Sequence, residues 1–419
     1  MNVLLKSAKI IDKNSQFNGQ TKDVLIERGI IIQIADNIEK KGNIREISYK
    51  NLHVSNGWFD SSVSFAEPGY EERETIDNGI DVAAKSGFTA VALNPNTNPK
   101  IDHKSAVEFL VNKGNLGIVD LYPIGNLTIN AEGKELAELY DMFRTGAIAF
   151  GDYNKSLSNA NLLKVALLYA QNFDGLVISF PQDNQLAQHG FVNEGVNSTK
   201  LGLKSIPSLA EELQIARDLF LLEYTGGKLH IPTISTANSV KLIREAKKKG
   251  LNISCSVTPH HLNLNDEFLH DFDPDFKVTP PLRTKTDSKA LIKGVIDGTI
   301  DMITSDHNPI DIENKKVEME NALYGTIGLE SAFGSLCKIL PLETLISALT
   351  EKPRSVFGVS SSKIAEGNSA NLTLFNPESE YIFTSSNIRS SSKNSIFKNQ
   401  KMKGSVYGII NKNNIVLAQ

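Results

Sequence analysis

The rhythm of apolar and polar residues changes twice along the chain. Over 1–54, apolar residues come in short runs broken by turns: VLLKSAKII, then DVLIERGIIIQIA, then IREISYKNLHVS. Such runs, rich in Val and Ile, read as strands of an antiparallel layer. From about 55 to 364, short apolar runs alternate with longer helical stretches. TAVALNP, IVDLYPIG, AIAFGD, GLVISF, KLHIPTIS, NISCSV and DMITSD read as strands, and 207–225 and 237–249 as helices between them. Strands that alternate with helices pair in parallel through right-handed crossovers. Eight such units over roughly 300 residues predict an α/β fold of the (β/α)8 barrel type. SANLTLFNP and SVYGIINKNNIVLA then return to strand texture. Residues 1–54 and 365–419 are therefore expected to build one small β-sandwich-like domain beside a barrel of 55–364. The Ser/Asn/Lys-rich stretch 384–400 reads as a solvated loop.

Composition narrows the picture. The 419 residues, 40% hydrophobic and 22% charged, suit a globular chain long enough for a barrel and a satellite domain. A net charge of -4 argues against nucleic-acid binding. The one basic cluster, Lys247-Lys248-Lys249, closes a predicted helix, where cations complement the dipole. No apolar run approaches the roughly 18 residues of a membrane span, and MNVLLKSAKIID lacks the build of a signal peptide. A cytoplasmic protein is expected. Cys255 and Cys337 lie in apolar segments and read as buried free thiols of a reducing compartment.

Ordered segments carry a resemblance across nearly the whole chain. GWFDSSVSFAEPG (57–69), PNTNP (95–99), FVNEG (191–195), IPSLAEELQIARDL (206–219), HIPTIST (230–236), VTPHHL (257–262), KVTPPLR (277–283), TIDMITSDHNP (299–309), YGTIGLES (324–331) and AEGNSANLTLFNP (365–377) occur in that order. Together they resemble the long bacterial dihydroorotases and the related allantoinases and hydantoinases. Such proteins hydrolyse or close a cyclic amide with one or two divalent metals, usually zinc, at the C-terminal mouth of the barrel. The metal lowers the pKa of its bound water to about 7.

The resemblance assigns ligand positions that this chain has vacated. The two first-strand histidines fall on Ser62 and Ser64, a third on Phe180 and a fourth on Thr233. The bridging carboxylate falls on Asp152, or on Tyr153 in the neighbouring register. The final-strand aspartate is retained as Asp306. The substrate arginine falls on Ala66, an asparagine on Thr279 and a histidine on Ile310, while Asn96 survives as an amide contact. Catalytic zinc needs at least about three imidazole, carboxylate or thiolate ligands, and a neutral hydroxyl is a poor substitute.

Other chemistry-bearing residues have bland readings beside the sharp ones. Asp306 is a general base only if the chain is active, and is otherwise a strand-end residue. His307 reads as a supporting histidine, and His230 as a hydrogen-bonded core histidine. His260 and His261, read as strand neighbours, would point to opposite faces and could not easily chelate one ion. Asp152 and Asp306, with the hydroxyls of Ser62, Ser64 and Thr233, form an oxygen-rich set better suited to magnesium or calcium than zinc. Glu67-Pro68-Gly69 reads as a turn, and DIENKKVEME (311–320) as a solvated loop or short helix.

The resemblance and the vacated positions lead to one expectation and two alternatives. The expectation is a non-catalytic dihydroorotase-like subunit of pyrimidine biosynthesis without metal or cofactor. It would be a homodimer that assembles with aspartate carbamoyltransferase or an active dihydroorotase. One alternative is an active dihydroorotase using zinc or another divalent cation at an atypical site. The other is a small-molecule binding protein.

Overall fold

The structure is a computed structural model that describes residues 1–40 and 42–418. Its first strands are β1 (Asn2–Ile11), β2 (Thr21–Glu27), β3 (Ile30–Ala35), β4 (Arg45–Ile47) and β5 (His53–Asn56). β1 and β2 pair antiparallel, as do β2 and β3, while β4 and β5 both join β1 in parallel.

The barrel follows: β6 (Trp58–Val63), β7 (Phe88–Leu93), β8 (Asp120–Gly125), β9 (Ala149–Phe150) and β10 (Leu176–Ile178). A separate parallel pair, β11 (Val192–Asn193) and β12 (Ser205–Ile206), interrupts the series. β13 (Lys228–Ile231), β14 (Ile253–Val257) and β15 (Met302–Ile303) complete it. Neighbouring barrel strands pair in parallel from β6 round to β15. A parallel bridge between Val63 and His307, with Ser64 N donating to His307 O at 2.7 Å, closes the ring. Strands such as β6 and β14 are buried throughout because inward side chains fill the barrel and outward ones meet helices. Helices Ser208–Thr225 and Ala237–Lys248 occupy the stretches expected to be helical, with Lys247 and Lys248 in the last turn of the second.

β16 (Leu372–Ile382), β17 (Lys401–Asn411) and β18 (Asn414–Leu417) return the chain to the first sheet, where β16 pairs antiparallel with β5. Both chain ends thus build one eight-stranded sheet. Its core includes Val3, Leu5, Val24, Ile26, Leu372 and Ile410. At the joint with the barrel, Trp58 packs on Phe88, Phe333 and Phe375, with ring centroids 4.6–5.8 Å away. Gly57 makes the crossing possible. A Cβ there would lie 1.9 Å from Asn371 Oδ1 and 2.0 Å from Thr89 Oγ1.

The stretch 384–400, expected to be solvated, is in large part buried, while 311–320 is mostly exposed as expected, apart from Lys315 and Met319. Within 384–400, Ile388, Ile396 and Phe397 are buried in a cluster with Val278, Leu282 and Phe383. Asn394 Nδ2 donates to Asn308 O and Gly325 O at 3.2 Å, and its Oδ1 accepts from Ile310 N at 3.1 Å. The polar residues there serve backbone groups of neighbouring loops instead of water. Within 311–320 a short helix, Ile312–Lys315, forms. Lys315 is buried and donates to the carbonyls of Lys277, Leu323 and Gly325 at 3.2, 3.1 and 2.7 Å. Burial pulls its pKa down to about 7, while the three carbonyls match the three N–H groups of the charged form. Cys255 is a buried free thiol, whereas Cys337 is only partly buried. Among the described residues, no helix is long and apolar enough to cross a membrane.

Candidate functional site

The C-terminal ends of the barrel strands converge on a cavity of about 30 Å³, room for about two waters. Asp60 on β6 holds one wall in place. Its carboxylate is fully buried, accepts from Ser305 N at 2.9 Å and Ser62 N at 3.1 Å, and takes a further bond from Thr304. Burial raises its pKa. Because these bonds join β6 to the end of β15, Asp60 spans the barrel's closing seam. Sequence reasoning passed it over, since a lone strand aspartate carries no motif of its own.

Asp306 follows β15 in the left-handed region, φ 47°, and lines the cavity. Its Oδ1 accepts from Ser62 Oγ at 3.1 Å and Tyr153 Oη at 3.2 Å. Burial pushes its pKa up to about 6 against those two bonds. Asn94, at the end of β7, donates through Nδ2 to Ser62 Oγ at 3.0 Å and Ser64 Oγ at 3.2 Å. The amide at the mouth is therefore Asn94, which sequence reasoning missed. Asn96 lies outside the cavity wall, and its Oδ1 is buried without a partner.

The structure settles the register after β9. Asp152 turns away: its Oδ1 accepts from Leu127 N at 3.0 Å, Thr128 N at 3.1 Å and Asn126 Nδ2 at 3.2 Å. Tyr153, at φ 56°, enters the cavity instead. Phe180, Thr233 and Thr279 also line it. Thr233 is a β-branched residue at φ 49°, a strained conformation, and its N–H donates to Ser256 Oγ at 3.0 Å. Three mouth residues (Tyr153, Thr233 and Asp306) thus share the left-handed region. Ala66 and Ile310 are buried outside the cavity wall.

The histidines divide. His230 lines the cavity, but Ser254 Oγ at 2.9 Å and Ser256 Oγ at 3.3 Å engage both ring nitrogens. Burial pushes its pKa down to about 3, so the ring is neutral. His260 and His261 stand in a helical turn, Pro259–Asn263, and not on a strand as expected. His261 sits between Thr258 Oγ1 at 2.7 Å and Pro280 O at 3.0 Å. His307 Nδ1 accepts from Gly328 N at 3.2 Å, and its Nε2 lies 3.8 Å from Glu74. Neither His260, His261 nor His307 lines the cavity.

These donors do not fit a catalytic zinc. Among the described residues, no group of three or more His, Cys, Asp or Glu stands where it could hold a metal ion. The mouth offers one carboxylate, hydroxyls, an amide and a neutral imidazole already engaged, short of the roughly three strong ligands zinc needs. The oxygen-rich alternative loses its second carboxylate, because Asp152 faces the 126–128 loop and Asp60 is committed to the seam. Among the described residues, no Lys or Arg lines the cavity to meet an anionic group. What remains is a small hydrogen-bonding pocket.

The fold is shared with hydantoinases. L-hydantoinase (dihydropyrimidinase) from Arthrobacter aurescens superposes with a TM-score of 0.85 over 99% of this chain and 96% of its own, at 20% identity. A D-hydantoinase does so at 0.84 over 100% and 95%, with 19% identity. Residues 53–239 match the dihydro-orotase-like family. Over its whole length the chain is 39% identical to a dihydroorotase of Acetivibrio thermocellus, covering 99% of that relative. It is 38% identical to one of Syntrophus aciditrophicus, over 97% of each chain. The chain belongs to the dihydroorotase family.

Proposed function

We propose that this chain acts in pyrimidine biosynthesis as a non-catalytic member of its family, an assembly or regulatory subunit. Its partner is aspartate carbamoyltransferase or an active dihydroorotase. The observation that carries this reading is the donor set at the mouth. A single carboxylate, Asp306, is hydrogen-bonded to Ser62 and Tyr153, in a cavity walled by Phe180 and Thr233. With one imidazole, His230, whose two nitrogens are already engaged by Ser254 and Ser256, there is no strong means of holding and activating a metal-bound hydroxide. Without a guanidinium there is no bidentate grip on a substrate carboxylate.

A second reading is favoured by the comparisons: an active dihydroorotase that interconverts N-carbamoyl-L-aspartate and L-dihydroorotate. Its support is end-to-end similarity to proteins that bear that name, at 38–39% identity. One experiment separates the two. The purified chain is assayed for metal by elemental analysis and for cyclisation of N-carbamoyl-L-aspartate. Neither metal nor turnover, with a carbamoyltransferase co-purifying, supports the first reading. Stoichiometric zinc with turnover establishes the second.

A further inference from the structure

At the end of the barrel opposite the mouth, a second cavity of about 260 Å³ lies beside Gly57, where β6 begins. Arg354, in the helix Glu351–Val356, lines it and is only 4% exposed. Its Nη2 donates to Gly57 O at 3.3 Å and Thr89 Oγ1 at 3.2 Å, and its Nη1 to Ser360 O at 3.2 Å. These bonds use three of the guanidinium's five N–H groups, and every acceptor is neutral. Among the described residues, no Asp or Glu lines the cavity or forms an ion pair with Arg354. Asp120, whose charge is felt at Arg354, is engaged instead by Lys412 Nζ at 3.0 Å and Asn411 Nδ2 at 3.3 Å. Buried charges are ordinarily paired, so a guanidinium that lines an open cavity without a counter-ion marks a place for one. Asn371 is an independent sign. It lines the same cavity, and its Oδ1 is buried without a partner.

We propose that this cavity binds a small phosphate-bearing ligand, with Arg354 as its counter-ion, at the joint between the barrel and the terminal sheet. Donor supply selects phosphate over carboxylate. A planar carboxylate is satisfied by one guanidinium fork, whereas a phosphate brings further oxygens that call for donors from other directions. Ser360, Ser361, Ser362 and Ser369 line the remaining wall, and each hydroxyl can turn to donate or accept. The unpartnered Asn371 Oδ1 accepts a hydroxyl of the ligand, on a carbon or on a monoprotonated phosphate. Size sets an upper bound. The cavity falls just below the roughly 300–1,000 Å³ of drug-sized pockets, so it suits a phosphate with few attached atoms. Placement gives the ligand a role. Arg354 and Gly57 belong to the barrel, while Ser369 and Asn371 lead into β16, so an occupant ties the two together. The site lies away from the mouth and does not depend on whether the barrel turns over substrate.

The full chain is titrated with inorganic phosphate, glycerol 3-phosphate and acetate at constant ionic strength, and binding is read by calorimetry and by the rise in Tm. Saturable binding of a phosphate probe with a Kd of about 1 mM or below is expected, and acetate is expected to bind at least about tenfold more weakly. Tighter binding of the ester makes the occupant a phosphorylated small molecule, and tighter binding of inorganic phosphate makes it the free ion. Ser361→Asp, at an exposed residue of the wall, sets a like charge against the ligand and is expected to weaken binding about tenfold or more. Val196→Asp, at a residue 68% exposed outside the cavity, makes the same charge change and is expected to leave binding intact. Phosphate-dependent hydrogen-exchange protection of 360–371 in the unmodified chain reads the same contact without any variant. No saturable binding of either phosphate probe up to about 10 mM overturns the proposal. So does binding indifferent to Ser361→Asp without protection of 360–371, or acetate bound as tightly as phosphate.

Discussion

Asparagine at position 306 removes the one carboxylate at the barrel mouth and isolates what its charge costs. The Asp306 carboxyl is pushed up by burial to a pKa of about 6 in the fold, against an ordinary value of 3.8. Between those values the folded chain holds a proton that the unfolded chain has released. Stability therefore falls as pH rises through that window and stays at the reduced level above it. The gap of about 2 units, at ~1.4 kcal/mol per unit, sets a ceiling of about 3 kcal/mol. Asparagine keeps an oxygen for the Ser62 and Tyr153 hydroxyls but brings an amide that needs its own acceptor, at a cost of roughly 1 kcal/mol. Asp306→Asn is thus expected to stabilise the protein by about 1–2 kcal/mol near pH 8, and to lose that advantage near pH 4, where the native carboxyl is also neutral. Urea unfolding at both pH values measures it. A variant destabilised near pH 8, or one whose effect is the same at both, refutes the reasoning.

Placing histidine at Ser62, Ser64, Phe180 and Thr233, with Tyr153→Asp, is expected to raise zinc affinity about a hundredfold or more over the unmodified chain, read by equilibrium dialysis. Failure to bind would mean that the backbone no longer holds ligand geometry. Lys315→Ala strands three buried carbonyls. It is expected to cost about 3 kcal/mol or more in urea unfolding. Asn394→Ala frees two carbonyls and one N–H. Limited proteolysis is expected to cut 384–400 in that variant and spare it in the unmodified chain. Thr233→Gly relieves a β-branched residue at φ 49° and is expected to change stability by no more than about 1 kcal/mol in either direction, because relief of strain opposes glycine's entropy.

The barrel was legible in the sequence because each strand is a short apolar run framed by turns, and each long helix has its own period. Motif position alone picked out Ser62, Phe180 and Thr233, which the structure places on the cavity wall. What escaped lay one residue away or depended on partners distant in the chain. Asp152 and Tyr153 differ by a single step, and only the backbone turn at φ 56° decides which of them enters the cavity. Asn94 and Asn96 pose the same problem across two residues of one loop. The stretch 384–400 looks solvated because its serines and asparagines are polar, yet the buried Asn394 amide is satisfied by backbone 69–86 residues away. His260 and His261 follow a strand directly, and nothing local announced that Pro259 opens a helical turn there.

The sheet shared by both chain ends has a consequence during synthesis. β5 ends at Asn56 and its neighbour β16 begins at Leu372, so more than 300 residues must leave the ribosome before the two can meet. At roughly 5–20 residues per second, the nascent chain spends on the order of tens of seconds with that edge bare. An unpaired edge is a template for wrong partners. The last strands thus act as a late seal, and chains that terminate early would be released with the template open.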